Sequence, residues 1–287
     1  MHTVRTLSEL RAAAAALRST HGSLALVPTM GALHDGHRAL VQAGAASGAA
    51  VVTSIFVNPS QFTPSEDLSR YPRDEAGDLA TLRACGCALV WMPGVETMYP
   101  PDDATVLTVS GPAERWEGAV RPGHFRGVAT VCAKLFGQVR PDRAYFGEKD
   151  WQQLQVIRQM VRDLHLPLEI VPVATVREAD GLAMSSRNRF LTADERARAP
   201  LLHTVLRETA AALAAAAQAA GDEAAGDEAA EPLRAARERL TAAGFGVDYC
   251  ALVDGPSLAD IPRVQPGARL IVAARLGAVR LLDNIAA

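Results

Sequence analysis

Two histidines three residues apart, His34 and His37, stand in the run Pro28-Thr29-Met30-Gly31-Ala32-Leu33-His34-Asp35-Gly36-His37, which follows an apolar stretch and opens a helical pattern. At that spacing they share one face of a first helical turn, where free backbone N–H groups and the positive end of the helix dipole favour an anion. Both rings can donate to phosphate oxygens, and Gly36 lets a phosphate or a flat ring approach the backbone. A zinc pair or two surface histidines are the alternatives. Zinc asks for a third and usually a fourth ligand, and no Cys, His or acid cluster lies nearby at suitable spacing. His-x-Gly-His between a strand and a helix therefore points to nucleotide-phosphate binding.

Three further segments place polar side chains where apolar runs end. Residues 54–62 finish with Asn58 and Gln61, two carboxamides able to bond a hydroxyl or a carboxylate, or else an ordinary polar loop. Gly147-Glu148-Lys149-Asp150 precedes a helical pattern containing Gln152 and Gln153. Lys149 is a mobile point charge suited to phosphate, while Asp150 either accepts from a ribose hydroxyl or caps the helix. Met184-Ser185-Ser186-Arg187-Asn188 offers hydroxyls and a guanidinium to polyphosphate, or forms a plain interdomain loop.

The elements that must position these groups follow from periodicity. Thr6-Leu7-Ser8-Glu9 has capping-box spacing and opens an alanine-rich helix to about residue 18, and Leu24-Ala25-Leu26-Val27 reads as a buried strand stopping at Pro28. A helix over 37–46, a strand over 51–56, a polar loop, a helix near 74–84 and a short strand at 88–91 follow. A helix over 128–139 precedes the apolar Ala144-Tyr145-Phe146, and a helix over 151–164 with a strand over 168–173 completes the alternation. Such alternation predicts a parallel sheet with helices on both faces, whose ligands gather at the C-terminal strand ends. After about residue 176 the character changes. Residues 192–240 are mostly helical and alanine-rich, interrupted by near-duplicate Gly-Asp-Glu-Ala-Ala tracts at 221–225 and 226–230 that read as a solvated, mobile connection. Strand-like runs at 247–253, 269–274 and 279–282 close the chain. The expected organisation is a domain of residues 1–175 and a smaller α+β domain of residues 176–287.

Composition narrows the class. Twenty-nine Lys and Arg against thirty-two Asp and Glu leave a net charge of −3, with 49% apolar residues, which excludes a disordered chain. Without basic runs the chain lacks the electrostatic footprint of a nucleic-acid binder. No apolar run approaches the ~18 residues of a membrane span, and the first residues do not resemble a signal peptide, so a cytoplasmic location without a membrane partner is expected. Cys85, Cys87, Cys132 and Cys250 form no disulfide or zinc pattern and read as reduced thiols.

Taken in order, these segments resemble the pantothenate synthetase family, ATP-dependent ligases that join pantoate and β-alanine. The resemblance rests on Pro28–His37 as that family's His-x-Gly-His motif and on Phe56-Val57-Asn58-Pro59-x-Gln61-Phe62. Glu66-Asp67 with Tyr71-Pro72-Arg73, Gly123-His124-Phe125-Arg126-Gly127, Phe146-Gly147-Glu148-Lys149-Asp150 and the run from Asp180 to Asn188 complete it. It implies an α/β fold: a Rossmann-like parallel-sheet domain of the His-x-Gly-His nucleotidyltransferase type binding ATP and pantoate, and a C-terminal domain covering the active site. It further implies that Met30, Gly31, Ala32, Leu33, His34, Asp35, Gly36 and His37 hold ATP. His34, His37, Lys149 and Arg187 would be the charge stabilisers. Gly147, Glu148, Lys149, Asp150, the backbone at Val176, and Met184, Ser185, Ser186 and Arg187 would complete the nucleotide site. Gln61 and Gln153 would bind pantoate, with Asn58, Tyr71, His124 and Arg121 in the substrate region. ATP as co-substrate, Mg²⁺ and a homodimer are implied as well.

One departure concerns the metal. Some relatives carry paired aspartates and a glutamine where this chain reads Gly77-Asp78-Leu79-Ala80-Thr81, leaving Asp78 as the single expected metal carboxylate. The implied chemistry is attack of the pantoate carboxylate on the α-phosphorus of ATP, giving pantoyl adenylate and pyrophosphate, followed by displacement of AMP by the β-alanine amine. A nucleotidyltransferase of the same superfamily acting on a phosphorylated acceptor is the alternative. It would require a basic acceptor site, whereas residues 58–61 are neutral and amide-rich.

Overall fold

The computed structural model describes residues 1–62, 68, 71–220 and 227–287. Glu66-Asp67 and residues 221–226, which hold most of the duplicated acidic tract, lie outside the described residues. The chain divides into two compact units, one of residues 1–148 and 152–174, the other of residues 149–151 and 175–287.

The first unit is a six-stranded, all-parallel sheet in the order β1-β4-β3-β2-β5-β6, built from β1 (His2–Val4), β2 (Leu24–Thr29), β3 (Ala50–Ile55), β4 (Leu89–Trp91), β5 (Arg143–Gly147) and β6 (Glu169–Val173). Strands β2 and β3 are buried almost without interruption, which requires helices on both faces. Helices α1 (Leu7–His21) and α6 (His124–Val139) pack together against the strands, and α2 (Asp35–Ala46) packs with α3 (Glu75–Ala84). Leu40 and Val41 of α2 meet Ala25, Val27, Val51 and Val90 in one apolar cluster. The short helices α4 (Val95–Met98) and α5 (Glu117–Val120) lie in the β4–α6 connection, and α7 (Trp151–Asp163) leads to β6. Successive strands run outward from β2 through β3 to β4, and the chain then returns to place β5 on the other side of β2. The order reverses between β2 and β5, where a parallel sheet opens its crevice beyond the strand ends.

The second unit packs α8 (Ala193–Arg198), α9 (Leu201–Ala220) and α10 (Ala230–Ala242) with an antiparallel sheet of β7 (Phe245–Asp254), β8 (Ala268–Leu276) and β9 (Val279–Ala286). Its core joins Leu202, Leu206 and Leu213 to Leu240, Leu252, Leu270 and Val272. No helix among the described residues is long and apolar enough to cross a membrane.

The parallel sheet with helices and the small antiparallel unit agree with the expected α/β class. The differences are local. Strand β1 has no counterpart in the sequence reading, because three residues with only Val4 buried leave no periodic signal. Helix α6 begins at His124 rather than 128, and its first turn carries Gly123 as cap and Gly127 inside, both poor helix formers. The Thr6 capping box forms as expected, with Thr6 and Glu9 each accepting the other's backbone N–H. All four cysteines are buried free thiols, and burial pushes Cys132 up to about 12.

Candidate active site

Strand β2 ends in a tight loop that sets the first site. Thr29 donates its hydroxyl to the Ser54 carbonyl at 2.7 Å, pinning the strand end to β3. Gly31 (φ +81°) and Ala32 (φ +52°) then both take left-handed conformations, which for alanine costs about 1–2 kcal/mol. Asp78, in the first turn of α3, offsets that cost. Its two carboxylate oxygens accept the amides of Ala32 (2.9 Å) and Leu33 (2.8 Å), and bonds to a charged group contribute about 1.5–3 kcal/mol each.

Helix α2 starts immediately after, and here the histidines behave differently from expectation. His34 is the N-cap: its Nδ1 accepts the Gly36 amide at 3.1 Å, and the His37 Nδ1 accepts the His34 amide at 3.3 Å. The backbone amides anticipated as the anion site are thus partly capped by the rings themselves. A neutral imidazole that accepts at Nδ1 carries its proton on Nε2, so this pattern assigns both rings the Nε2–H tautomer. The ring centroids are 4.1 Å apart. The donors offered by the motif are therefore chiefly two paired imidazole N–H groups. Gly36 has a nearer reason than ligand approach: a Cβ there would stand 2.8 Å from His34 Cε1 and displace the cap. Asp35 is exposed and pairs with Arg38.

The second segment converges on the first. Gln61 donates from Nε2 to the Met30 sulfur at 3.1 Å and accepts from Asn58 Nδ2 at 3.0 Å. Asn58, expected in the substrate region, is 1% exposed and fully engaged. Its Nδ2 also reaches the Gly127 carbonyl, and its Oδ1 accepts from Ser60 and from the Tyr99 hydroxyl. It holds the turn that presents Gln61 and has no bonding capacity left for a ligand. His124, also expected in the substrate region with Arg121, is likewise engaged by its neighbours. The Arg121 guanidinium donates to His124 Nε2 at 3.0 Å, which leaves Nδ1–H to donate to the Gln61 carbonyl at 2.9 Å. His124 thereby holds the Gln61 backbone, with Arg121 bonded to the other nitrogen of its ring. Tyr71 meets Phe62 edge-on at 5.9 Å. Tyr99 escapes sequence reasoning, since a lone tyrosine 41 residues from Asn58 leaves no signal.

Gln152 and Gln153 separate. Gln152 is buried, accepting the Glu117 amide and donating to the Pro112 and Arg115 carbonyls, which fastens the loop before α5. Gln153, one residue on, is only half-buried.

Asp78 does not fit the expected magnesium role. Both its oxygens serve the loop amides, it is 4% exposed, and among the described residues no three His, Cys, Asp or Glu side chains group as a metal site.

Strand β5 ends at Gly147, and a 3-10 turn over Glu148–Asp150 follows. The second unit gathers Lys149 of that turn with Ser185, Arg187 and Arg280 around one concavity, lined also by Leu182, Ala183 and Asp283. Lys149 pairs with Asp150 at 3.2 Å. The Lys149 carbonyl is held by Asn284 Nδ2 at 2.9 Å, and Asn284 is in turn fixed by Arg269, whose guanidinium stacks 3.5 Å over Trp151. On the other side, residues 176–184 fold back on themselves: Met184 donates to the Val176 carbonyl, and Arg177 bridges to Ala183. The Val176 carbonyl is therefore committed to the hairpin. Ser185 caps the turn Ser186–Phe190 by accepting the Arg187 amide. Arg177 clamps this hairpin to β9 through a bidentate pair with buried Asp283, at 2.6 and 3.0 Å. Arg196 ties Glu178 and Asp180 together, and the Arg196 guanidinium holds the Asp180 carboxyl below its usual value. Neither Arg177 nor Asp283 stands out in sequence, being 106 residues apart.

Comparison with known proteins places this architecture. The family described as pantoate-beta-alanine ligase matches residues 2–286. The pantothenate synthetase of Acidiphilium cryptum is 58% identical over 287 residues, covering all of both chains. The crystal structure of pantothenate synthetase from Thermus thermophilus superposes with a TM-score of 0.89 at 50% identity, covering 100% of this chain and 99% of that one. A pantoate-beta-alanine ligase from Francisella tularensis, crystallised with beta-gamma ATP and beta-alanine, gives a TM-score of 0.81 at 28% identity, over 100% and 97% of the chains. With its fold, its ordered motifs and nearly its whole length matched, the chain belongs to the pantoate-beta-alanine ligase family.

Proposed function

We propose that the chain activates pantoate with ATP and transfers the pantoyl group to β-alanine. The pantoate carboxylate attacks the α-phosphorus in line, the bond to the β-phosphate oxygen breaks, and pyrophosphate leaves. The β-alanine amine then adds to the acyl carbon of the mixed anhydride, loses a proton, and AMP departs. The single observation that carries this is the paired His34 and His37 cap at the end of β2, beside a Gln61 turn that is neutral. Imidazole N–H groups suit phosphate oxygens, and a carboxamide suits a hydroxyl or carboxylate. A phosphorylated acceptor would call for cations where Asn58 and Gln61 stand, which disfavours the nucleotidyltransferase alternative.

The residues divide the work. His34 and His37 donate to the phosphates, while Lys149 and Arg187 supply charge that neutralises the developing negative oxygens. Met30, the loop from Gly31 to His37, and residues 147–150 and 184–187 position the nucleotide. Gln61 and Gln153 orient pantoate, and orientation of bound reactants removes most of the entropic barrier. No protein nucleophile is required. Mg²⁺ would arrive on the nucleotide's phosphates, and no step is assigned to a protein-held metal. A homodimer located in the cytoplasm completes the proposal. Pantoate labelled with ¹⁸O in its carboxylate tests it: one labelled oxygen must appear in AMP, and label recovered in phosphate would overturn it.

A further inference from the structure

Asp78 reaches from α3 to the loop that ends β2, and this reach has a functional consequence. The carboxylate accepts two successive amides, Ala32 and Leu33, at 2.9 and 2.8 Å. Those amides directly follow the left-handed Gly31 and Ala32, which deliver the chain to His34. Where Leu33 points decides where the His34 and His37 rings sit. A carboxylate gripping adjacent N–H groups with separate oxygens fixes both the position and the tilt of that peptide.

We propose that Asp78 is a positioning residue for the nucleotide loop, acting through Ala32 and Leu33 on His34 and His37, and is not a magnesium ligand. The proposal rests on the ATP-dependent reaction above. Two observations argue against metal. Magnesium keeps several waters and demands near-octahedral geometry, so it needs open space around a carboxylate. Asp78 is 4% exposed, and the space beside its Oδ2 is so narrow that a Cβ on Gly31 would stand 2.8 Å from it. The amides of Ala32 and Leu33 are also spent on Asp78, so they do not cradle phosphate. The site's response to ATP then depends on the brace, and its response to magnesium does not.

The experiment separates these. Wild type and Asp78→Asn are titrated with a non-hydrolysable ATP analogue in EDTA, and KM for ATP and for β-alanine and the Mg²⁺ midpoint at saturating ATP are measured. Asparagine keeps one acceptor oxygen and turns a donor toward the other amide. We expect the metal-free analogue to bind about tenfold or more weaker, KM for ATP to rise while KM for β-alanine holds, and the Mg²⁺ midpoint to stay within about twofold. Unchanged analogue affinity, with or without a shifted Mg²⁺ midpoint, overturns the proposal. So does an equal rise in both KM values, which would mark general loosening. Should Asp78→Asn not fold, Gly31→Ala disturbs the same brace from the loop side, and the same pattern is required of it. Failure of the wild type to bind the analogue with Mg²⁺ supplied in excess would instead overturn the ATP-dependent reaction itself.

Discussion

Replacing Gly127 by alanine should damage the substrate site without touching a substrate. Gly127 lies in α6, where that helix crosses the Asn58–Gln61 turn, and a Cβ built there stands 2.3 Å from the Ser60 carbonyl oxygen and 2.7 Å from Gln61 Cα. An ordinary carbon–oxygen approach is about 3.3 Å, so helix and turn must part by roughly 1 Å. Two bonds span that seam, Asn58 Nδ2 to the Gly127 carbonyl and His124 Nδ1 to the Gln61 carbonyl, and both lengthen. Overpacking costs about 1–3 kcal/mol and the weakened bonds about 0.5–1.5 kcal/mol each, against a helix-propensity gain of about 1 kcal/mol. The net is a loss of about 1–5 kcal/mol. A displacement of 1 Å at a positioning residue also costs about 10² in rate, so kcat/KM for pantoate should fall by that factor. Gly137→Ala is the control: it sits in the same helix, is exposed, and meets no atom within 4 Å, so it should stabilise by about 0.4–1 kcal/mol and leave kinetics unchanged. Denaturant unfolding and steady-state kinetics read both variants. Wild-type stability and pantoate kinetics in Gly127→Ala would refute the account of the Gln61 turn.

Other expectations follow from the same geometry. His34→Ala and His37→Ala should each lower single-turnover adenylation by about 10²–10³, the loss of one oriented donor; near-normal adenylation in His37→Ala would remove the β2–α2 loop from the phosphate site. Arg177→Ala should destabilise by about 3–5 kcal/mol, because it strands the buried Asp283 carboxylate; a loss below 1 kcal/mol in denaturant melts would refute the clamp. Burial pushes Asp283 up, but the His203 ring, 3.6 Å away and so a contact rather than a bond, and the Arg177 guanidinium together bring it below the usual carboxylate value. Its contribution to stability is therefore complete above the unfolded value near pH 4 and lost as pH falls through the lower folded value. Asp283→Asn should flatten that part of the acid limb in melts taken between pH 5 and 2.

What sequence made legible was whatever is local. The apolar run of β2 followed by His34-x-Gly36-His37 declares strand, turn and helix within fourteen residues, and the Thr6 capping box is a four-residue signal. What it hid was set by contacts between distant segments. Asn58 and His124 look like ligand-binding side chains until Tyr99, Gly127 and Gln61 consume their bonding capacity. Asp78 reads as a metal carboxylate until Ala32 and Leu33, about 45 residues earlier, are seen to use both oxygens. The Arg177–Asp283 clamp joins residues that no motif connects. The histidines are legible as a pair but for an incomplete reason, since a side chain's capping of its own helix depends on a ring orientation that residue type does not reveal.

The central claim is carboxylate activation at the α-phosphorus, and the most direct measurement omits the amine. The protein is mixed with ATP, Mg²⁺ and pantoate alone, and pyrophosphate, ADP and AMP are followed through the first turnover. Sheltering of the mixed anhydride from water predicts a burst of pyrophosphate near one equivalent per site, with AMP released catalytically only when β-alanine is added. Formation of ADP would contradict the account, since it would place the attack on the γ-phosphorus and make the intermediate an acyl phosphate.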